Sequence, residues 1–284
     1  HLEEFLLRIK RILDSRDFFE VETPVLQPVY GGAAASPFTS HHNALDINLY
    51  LRISLEPYLK RLIVGGFDRV YEIGKCFRNE GIDRTHNPEF TMLELYQAYA
   101  DYNDMMNLAE ELIVSTAIAV NGSTRVSFDG KEIDIKTPWK RIKVTDAIKE
   151  YAGLDVMSMN DDEIRDALKK YGGEVKGDYI RGLAIDELFQ VLVEDKLIEP
   201  TFITHQPAET TPLCKPDIED ERFLQRFELF INGTEFANAY SESNDPVFQR
   251  KTLYEQSLRR DIDEEAPPMD ENFVQAIEAG MPPT

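Results

Sequence analysis

The sequence is poor in cysteine: Cys76 and Cys214 are the only two among 284 residues. Two thiols exclude the dense disulfide framework of a small secreted protein and favour a reducing interior such as the cytoplasm. Long apolar runs are also lacking. No stretch approaches the roughly 18 residues that a membrane-spanning helix needs, and the first residues do not have the pattern of a signal peptide. We therefore expect a soluble cytoplasmic protein.

Positive charge is scarce as well. The chain carries 31 lysines and arginines against 52 aspartates and glutamates, a formal net charge of -21. This balance argues against a general nucleic-acid-binding surface, because phosphate groups are bound by clustered cations. A cationic substrate or a basic partner fits the acidity better, although solubility alone is a sufficient explanation. With 42% hydrophobic residues, the chain predicts one large domain or one domain with an insertion.

The first residues place apolar side chains at helical spacing, which predicts a helix with one apolar stripe. Its members are Leu2, Phe5, Leu6, Ile9, Ile12 and Leu13. Because the pattern begins at once after His1, we expect the sequence to be part of a longer chain. Residues 18–25 then predict a short strand, and the small residues 31–35 predict a loop whose backbone can approach a ligand.

Two strands joined by a long polar loop are predicted next. Residues 54–64 have helical spacing and are followed by a pair of glycines, a usual helix end. The period then changes to two through residues 77–80 and 90–96, which predicts a hairpin with the loop 81–88. Helical spacing resumes over residues 102–120.

The second half of the chain predicts a helical region followed by a further hairpin. Residues 145–200 are helical in pattern, and Asn160 and Glu163 have the spacing of a capping box. We interpret this region as an inserted helical subdomain. Residues 223–242 return to strand character and fold back at Asn232-Gly233, the strongest short-range hairpin signal.

Alternation in the predicted strands places polar side chains on shared faces. Residues two apart in a strand point to the same side, so Arg78 shares a face with Glu80. The corresponding sets on the other strands are Phe90, Met92, Glu94 and Tyr96, and Asn238, Tyr240 and Glu242. One guanidinium and several carboxylates suit an amino acid with a cationic side chain. An ordinary exposed sheet with cross-strand ion pairs is the alternative.

Several motifs resemble one enzyme family. Residues 77–80 (FRNE) and 86–94 (HNPEFTMLE) are similar to motif 2 of the class II aminoacyl-tRNA synthetases in its lysine-specific form. Residues 19–24 (FEVETP) resemble motif 1, the dimer-interface element of that class. Four further segments resemble the lysyl-tRNA synthetases in particular: residues 41–46, 51–60, 65–67 and 235–242. The resemblance extends over the whole chain.

The resemblance implies an α+β fold, in which an antiparallel β-sheet of the class II type is flanked by helices. The catalytic core would comprise residues 1–144, with motifs 1 and 2, and would continue in residues 201–284. Residues 145–200 would be a helical insertion. The family's motif 3, with a second ATP-binding arginine, is expected after residues 281–284, and an anticodon-binding barrel is expected before His1. This chain by itself is therefore expected to lack one phosphate-binding arginine.

The activity that the resemblance implies is the activation of L-lysine with ATP and its transfer to tRNA(Lys). Arg78 would be the catalytic residue, contacting the α-phosphate and the lysine carboxylate. Glu80 would lie near the adenine amino group, His86 near the outer phosphates and Phe90 against the adenine ring. No protein nucleophile or base is needed, because the lysine carboxylate is already charged.

For lysine itself, the resemblance implies that Glu94 holds the α-amine, while Glu56 and Glu242, with Tyr96, hold the side-chain ammonium. The lysine-binding set would be completed by Gly32, Arg78, Asn238 and Tyr240. Glu56 has a second interpretation, because it stands four residues before Lys60, the spacing of an exposed helical ion pair.

The resemblance also implies a Mg2+ ion that bridges the ATP phosphates and is held by Glu228 and Glu235, which offer hard oxygen ligands. Strict alternation places Glu235 on the opposite face of its strand from Asn238. Metal and lysine ligands therefore share a face only if the strand is irregular, and we predict a bulge near Phe236 or Ala237.

Two positions depart from the family pattern: Thr85 stands where many bacterial relatives have arginine, and Tyr240 stands where phenylalanine is common. The partners implied are L-lysine, ATP, tRNA(Lys) and a second copy of the chain bound through motif 1. Two other functions stay open. One is a stand-alone paralogue that attaches a lysine derivative to elongation factor P, although residues 41–67 resemble the true synthetase more closely. The other is a non-catalytic module that binds lysine or dimerises.

Overall fold

The computed structural model describes residues 2–83, 86–128, 130–175, 177–258 and 266–284. Its helices are α1 Leu2–Ser15, α2 Glu56–Val64, α3 Tyr102–Asn121, α4 Val144–Ala152, α5 Asp161–Tyr171, α6 Arg181–Leu192, α7 Pro246–Ser257 and α8 Glu271–Glu278. Its strands are β1 Phe19–Glu20, β2 Leu26–Gln27, β3 Thr39–His42, β4 Ile47–Leu51, β5 Arg69–Phe77, β6 Glu89–Gln97, β7 Arg125–Phe128, β8 Lys131–Asp134, β9 Lys140–Lys143, β10 Thr201–Thr204, β11 Arg226–Ile231 and β12 Thr234–Tyr240. None of the described helices has the length and apolar character that a membrane crossing requires.

The described strands form separate sheets, and most of the strand pairs are antiparallel. The orders are β1-β5-β6, β12-β11-β10-β9, β2-β4-β3 and β7-β8. Two pairs are parallel, β1 with β5 and β9 with β10. The predicted α+β class is confirmed, and the antiparallel character holds for the remaining pairs.

The chain divides into two compact units. The first consists of the chain up to Ile12 together with Asp101–Ser241, and the second consists of Leu13–Ala100 together with Glu242–Thr284. These limits differ from the predicted boundaries near residues 145 and 200. The reason is packing: the helices of residues 144–192 bury their apolar faces in the same core as the strands that follow them.

One core of the first unit lies between helices α4 to α6 and strands β10 and β11. Ile148, Ile164 and Leu188 of the helices share this buried cluster with Ile203 and Phe230 of the strands. The opposite face of β11 carries Phe227, Leu229 and Ile231, which pack in a second cluster with residues of α3. Alternation along β11 therefore separates two apolar layers, one of which is shared with the helical region. The interpretation of residues 145–200 as an insertion stays a prediction.

The second unit is built on the long hairpin of β5 and β6, which pair from Arg69 with Gln97 to Phe77 with Glu89. Helix α2 covers one face of this hairpin. Leu55, Leu59 and Ile63 pack there against Val70 and Cys76 in a fully buried cluster. The face that carries Phe90, Met92 and Tyr96 is packed against the same cluster. This packing brings the start of α2 close to the middle of β6.

Several local predictions are confirmed. The Asn160 side chain accepts a hydrogen bond from the Glu163 backbone N–H, and the Glu163 side chain accepts one in return, which completes the capping box of α5. The β11–β12 hairpin turns at Asn232 and Gly233, whose φ angles of 54° and 68° are both positive. Such a turn matches the twist of the two strands that it joins.

Two predicted strands have the wrong limits. Residues 18–25 contain only the two-residue strand β1, and β5 ends at Phe77 rather than running through residues 77–80. Beyond Phe77 the Arg78 N–H still donates to the Pro88 carbonyl opposite it, but the Asn79 N–H then donates to the Ser36 carbonyl and leaves the β5–β6 pairing. Arg78 and Glu80 therefore follow the strand instead of belonging to it.

Candidate functional site

Glu94 lies in the middle of β6 and is held at the start of α2. Its carboxylate accepts hydrogen bonds from the Ser54 hydroxyl at 3.2 Å and from the Leu55 backbone N–H at 3.1 Å. The Tyr96 hydroxyl donates to its second oxygen at 3.3 Å. Burial raises the pKa of Glu94 to about 7, and the charge of Glu56 adds to the rise, while the three hydrogen bonds oppose it. The carboxyl group therefore changes charge close to neutral pH.

Glu56 and Glu242 converge on the ammonium group of Lys60. Lys60 is fully buried, Glu56 is 4% exposed and Glu242 is 5% exposed. Lys60 forms an ion pair with each of them. The prediction of an exposed Glu56–Lys60 pair is therefore wrong about its exposure, although the pair itself is formed. We call Glu56, Lys60, Glu94 and Glu242 the carboxylate cluster.

Electrostatics within the carboxylate cluster are strongly coupled. Burial lowers the pKa of Lys60, but the charges of Glu242 and Glu56 outweigh this effect, so the net shift is upward and the ammonium stays charged. Burial raises the pKa of Glu242 against the opposing charge of Lys60, and the charges of Glu56 and Glu94 raise it further. Two buried carboxylates thus share one internal cation, and Glu94 adds a third acidic group beside them.

Arg78 lies beside the same segment that holds Glu94. Its Nε donates to the Ile53 carbonyl at 3.4 Å, and Ile53 directly precedes the serine that binds Glu94. The Arg78 guanidinium also lies 5.2 Å from the centroid of the Phe90 ring. Two of the predicted ATP-binding side chains, Arg78 and Phe90, are therefore neighbours, although Arg78 lies outside the strand.

Gly32 reaches the same place through the loop before β3. It has a φ of 85°, and a Cβ at this position would lie 2.7 Å from Ser54 Oγ and 2.9 Å from Pro57 Cδ. Only glycine avoids both the strained backbone and this overlap. The Gly32 backbone therefore lies directly against the serine that donates to Glu94.

Glu80 and His86 lie in exposed backbone outside the strands. The Glu80 carboxylate accepts a hydrogen bond from the Ser36 N–H at 3.2 Å. The His86 ring lies 2.8 Å from the Asp83 carboxylate, and its backbone N–H donates to the same group. These contacts are those of an ordinary loop, so the ATP-binding roles of Glu80 and His86 stay predictions. Thr85 lies outside the described residues.

The first unit contains the predicted metal ligands on one face of the β11–β12 hairpin. Glu228 pairs with Asn238, but Phe230 pairs with Glu235 and Leu229 with Ala237, so Phe236 is an extra residue. The predicted bulge is thereby confirmed. Beyond it, Glu235 lies on the same face as Glu228, Asn238 and Tyr240, which regular alternation would not allow. The roles of Asn238 and Tyr240 in lysine binding stay predictions.

Negative charge is concentrated around this face. Burial raises the pKa of Asp186 to about 6, with the charge of Glu228 as the next cause. Burial raises the pKa of Glu194 to about 7, and Glu228, Asp186 and Glu235 all contribute to the rise. Within the described ranges, no three acidic, histidine or cysteine side chains converge closely enough to enclose a metal ion. Glu228 and Glu235 offer the hard oxygen donors that Mg2+ prefers, and their role as metal ligands stays a prediction.

Two charged residues at these sites were not predicted as members. Lys60 lies at the centre of the carboxylate cluster, and its only signal in the sequence was its spacing from Glu56. Arg226 forms an ion pair with Glu228 and donates to the Asn238 side chain at 3.1 Å. Its position two residues before Glu228, on the same face of a strand, was the available signal.

A cavity of about 360 Å3 beside Trp139 and Lys196 is lined by none of the predicted site residues.

The chain matches a known protein family over nearly its whole length. The family model for tRNA synthetases class II (D, K and N) matches residues 3–284. The chain belongs to this family. This class II synthetase chain is also similar to curated proteins named lysine–tRNA ligase. It is 55% identical over 278 residues to the one from Saccharolobus solfataricus, covering 97% of the chain and 56% of that relative.

Two further curated lysine–tRNA ligases are similar to the class II synthetase chain, with nearly the same identity and coverage. The Clostridium novyi protein is 52% identical over 281 residues, with 97% of the chain and 55% of the relative covered. The Thermoanaerobacter pseudethanolicus protein is 53% identical over 278 residues, with 97% and 56% covered. The chain thus spans little more than half the length of the curated relatives it matches.

Proposed function

We propose that this class II synthetase chain is the catalytic domain of a lysine–tRNA ligase, which activates L-lysine with ATP and transfers it to tRNA(Lys). The observation that carries the proposal is the convergence of the buried Glu56 and Glu242 with the half-buried Glu94 in one cluster. Among the family's three amino acids, aspartate is repelled by such a cluster and asparagine offers no side-chain charge to match it. Lysine supplies two ammonium groups. The similar lysine–tRNA ligases support the same choice.

Activation requires positioning and charge stabilisation rather than a nucleophilic side chain. Arg78 binds the lysine carboxylate and the α-phosphate, and it stabilises the charge that develops as the carboxylate oxygen attacks phosphorus and pyrophosphate leaves. Phe90, which neighbours Arg78, contacts the adenine ring. Glu80 is assigned to the adenine amino group and His86 to the outer phosphates.

The carboxylate cluster is assigned to the ammonium groups of lysine. Glu94 takes the α-amine, and Tyr96 supports it through the hydrogen bond between their side chains. Glu56 and Glu242 face the side-chain ammonium. Because both are buried, a charged ligand that reaches them gains more than it would at a surface.

Glu228 and Glu235 of the first unit are assigned to Mg2+. When bound, the ion supplies positive charge to the ATP phosphates. The bulge at Phe236, the shared face of the two carboxylates and the surplus of negative charge around them support this assignment.

Dimerisation through motif 1 is proposed as well. Phe19 and Phe67 are 62% and 41% exposed, and their rings make an edge contact at 6.0 Å between centroids. Val25 and Leu26 are also exposed. Exposed apolar side chains within motif 1 and directly after it favour burial against a second copy. The two cysteines are free and buried, which supports the cytoplasm as the location.

Exchange between ATP and pyrophosphate in the full-length protein tests the activity. We expect exchange that depends on lysine and is not supported by aspartate or asparagine. Arg78→Ala is expected to reduce the rate by at least about 100-fold, while Arg69→Ala on β5 serves as the control. ATP binding without exchange in the presence of lysine would rule out the proposal.

The acceptor distinguishes the enzyme from its nearest rival. Lysine activated by the full-length protein is expected to be transferred to tRNA(Lys) and not to elongation factor P. Transfer to elongation factor P alone would assign the chain to the paralogue, and lysine binding without exchange would favour a non-catalytic module.

A further inference from the structure

Lys60 is a fully buried lysine of helix α2. It lies one turn after Glu56 on α2, pairs with Glu56 and Glu242, and its ammonium lies 5.8 Å from the centroid of the Phe273 ring. Lysine is almost never fully buried unless it is paired. Buried ion pairs contribute little to stability compared with apolar side chains of similar volume, because both charges lose their hydration. An interior lysine at this position therefore points to a role in the site.

The charges of the carboxylate cluster suggest that role. When all three carboxylates are ionised, as they must be to bind ammonium groups, the three carboxylates and one ammonium leave two net negative charges. Free lysine carries two ammonium groups, and its carboxylate is assigned to Arg78. With Lys60 in place, the negative charge of the cluster is equal and opposite to the positive charge of the two ammonium groups that it binds. Without Lys60, the cluster would carry one negative charge more than the ligand can neutralise.

We propose that Lys60 is a positioning residue of the amino-acid pocket, which orients the carboxylates of Glu56 and Glu242 and matches the charge of the cluster to a dibasic amino acid. This inference rests on the proposed specificity for lysine. Because Lys60 has no exposed surface in the ligand-free protein, it acts through the two glutamates rather than by contact with the substrate.

The charged neighbours of Lys60 come from several elements. Glu56 lies on its own helix and Glu242 lies two residues after the end of β12, while Glu94 on β6 acts on the charges of these two glutamates. Helix α8 is preceded by Asp270, which already forms an ion pair with Arg61 at 3.0 Å and so leaves the balance of the cluster unchanged. Removal of Lys60 takes away the cation that lowers the pKa of Glu242. The pKa of Glu242 then rises further, and a protonated Glu242 must release its proton before an ammonium group can bind.

Lys60→Met removes the charge and keeps most of the side-chain volume. We expect lysine to bind on the order of tenfold more weakly at pH 7, and the affinity to recover as the pH rises. The affinity for ATP is expected to stay within about twofold, since the ATP-binding roles are assigned to Arg78, Phe90 and the loop residues and not to the carboxylate cluster. Lys75→Met is the matched control, because Lys75 is exposed on β5 and pairs with Glu89 at 3.3 Å. Isothermal titration calorimetry at several pH values measures the lysine and ATP affinities of both variants and of the unaltered protein.

The outcomes separate the two proposals. If the unaltered protein does not bind lysine, the proposed function fails whatever Lys60 does. If the unaltered protein binds lysine and folded Lys60→Met binds it with the same affinity and pH dependence, Lys60 has only a structural role and the inference is overturned. Circular dichroism shows whether the variant is folded.

Two further measurements apply if Lys60→Met does not fold. Lys60→Arg keeps the cation, and its lysine affinity is expected to have the pH midpoint of the unaltered protein. Calorimetry of the unaltered protein near pH 7, in buffers of different ionisation enthalpy, is expected to show proton release when lysine binds. Absence of proton release, or a displaced midpoint in folded Lys60→Arg, contradicts the charge balance.

Discussion

Glu235 and Asn238 lie on the same face of β12, although their spacing of three residues would place them on opposite faces of a regular strand. The extra residue Phe236 is the cause. Because the bulge lies between them, Glu235 joins Glu228 and Arg226 on one side of the hairpin, and the apolar Ala237 and Ala239 keep their place in the core. One inserted residue thus reconciles a buried apolar face with an acidic one.

Deletion of Phe236 is predicted to weaken the binding of Mg2+ with ATP. Without the bulge, regular alternation turns Glu235 to the other face and separates it from Glu228. We expect the apparent Mg2+ affinity to fall by on the order of tenfold or more. Titration of Mg2+ at a fixed ATP concentration measures it. Phe236→Leu keeps the extra residue and is the control; an unchanged affinity in the deletion variant would remove Glu235 from the metal site.

Lysine affinity is predicted to rise with pH around neutrality. The pKa of Glu94 is raised to about 7, and only the deprotonated carboxylate can hold an ammonium group. Well below this pKa, the affinity should fall by up to about tenfold per pH unit. Glu94→Gln is expected to bind lysine weakly without this pH dependence, whereas Glu89→Gln on the same strand should keep it. Calorimetric titrations from about pH 6 to 8 decide the question.

The same shift predicts how stability depends on pH in the ligand-free protein. The folded-state pKa of Glu94 lies above the unfolded value of 4.5. Between these two values the folded state binds the proton more firmly than the unfolded state does, so the free energy of unfolding falls as the pH rises. Denaturant titrations should show a smaller fall for Glu94→Gln. An equal fall in both proteins would assign the dependence to other groups.

Glu242→Gln is predicted to weaken lysine far more than ATP. The substitution keeps the volume but removes a buried carboxylate that pairs with Lys60 and is assigned to the ligand ammonium. Loss of such a partner costs roughly 2 to 5 kcal/mol. Glu278→Gln is the control, because Glu278 is exposed on α8 and pairs with Arg250 at 2.8 Å. Equal losses for lysine and ATP would place Glu242 outside the amino-acid pocket.

Phe19→Asp is predicted to convert a dimer into monomers. Phe19 and Phe67 expose apolar surface that a second copy is proposed to cover, and a buried unpaired charge strongly disfavours such a contact. Sedimentation velocity measures the change in mass. Ile218→Asp, at a position that is 90% exposed in the first unit, is the control. A monomeric unaltered protein at micromolar concentration would contradict the proposal.

Two local elements were predicted correctly from the sequence. The α5 capping box and the turn at Asn232 and Gly233 were predicted correctly, because each depends on a few adjacent residues. The bulge at Phe236 was also predicted, since a required shared face conflicted with the strand period. The end of β5 was not, because the backbone after Phe77 is redirected by Ser36, which is distant in sequence.

The sequence by itself determined the family and the α+β class, and it singled out the carboxylates that we assign to the amino-acid site, since motif spacing and strand period are local properties. Only the tertiary structure decided the environment of those carboxylates. Glu56 and Lys60 are one turn apart, but Glu242 joins them from a remote segment, and burial turns an expected surface pair into an interior cluster. Charges interact through space and their energies depend on burial, and neither quantity is determined before the chain has folded.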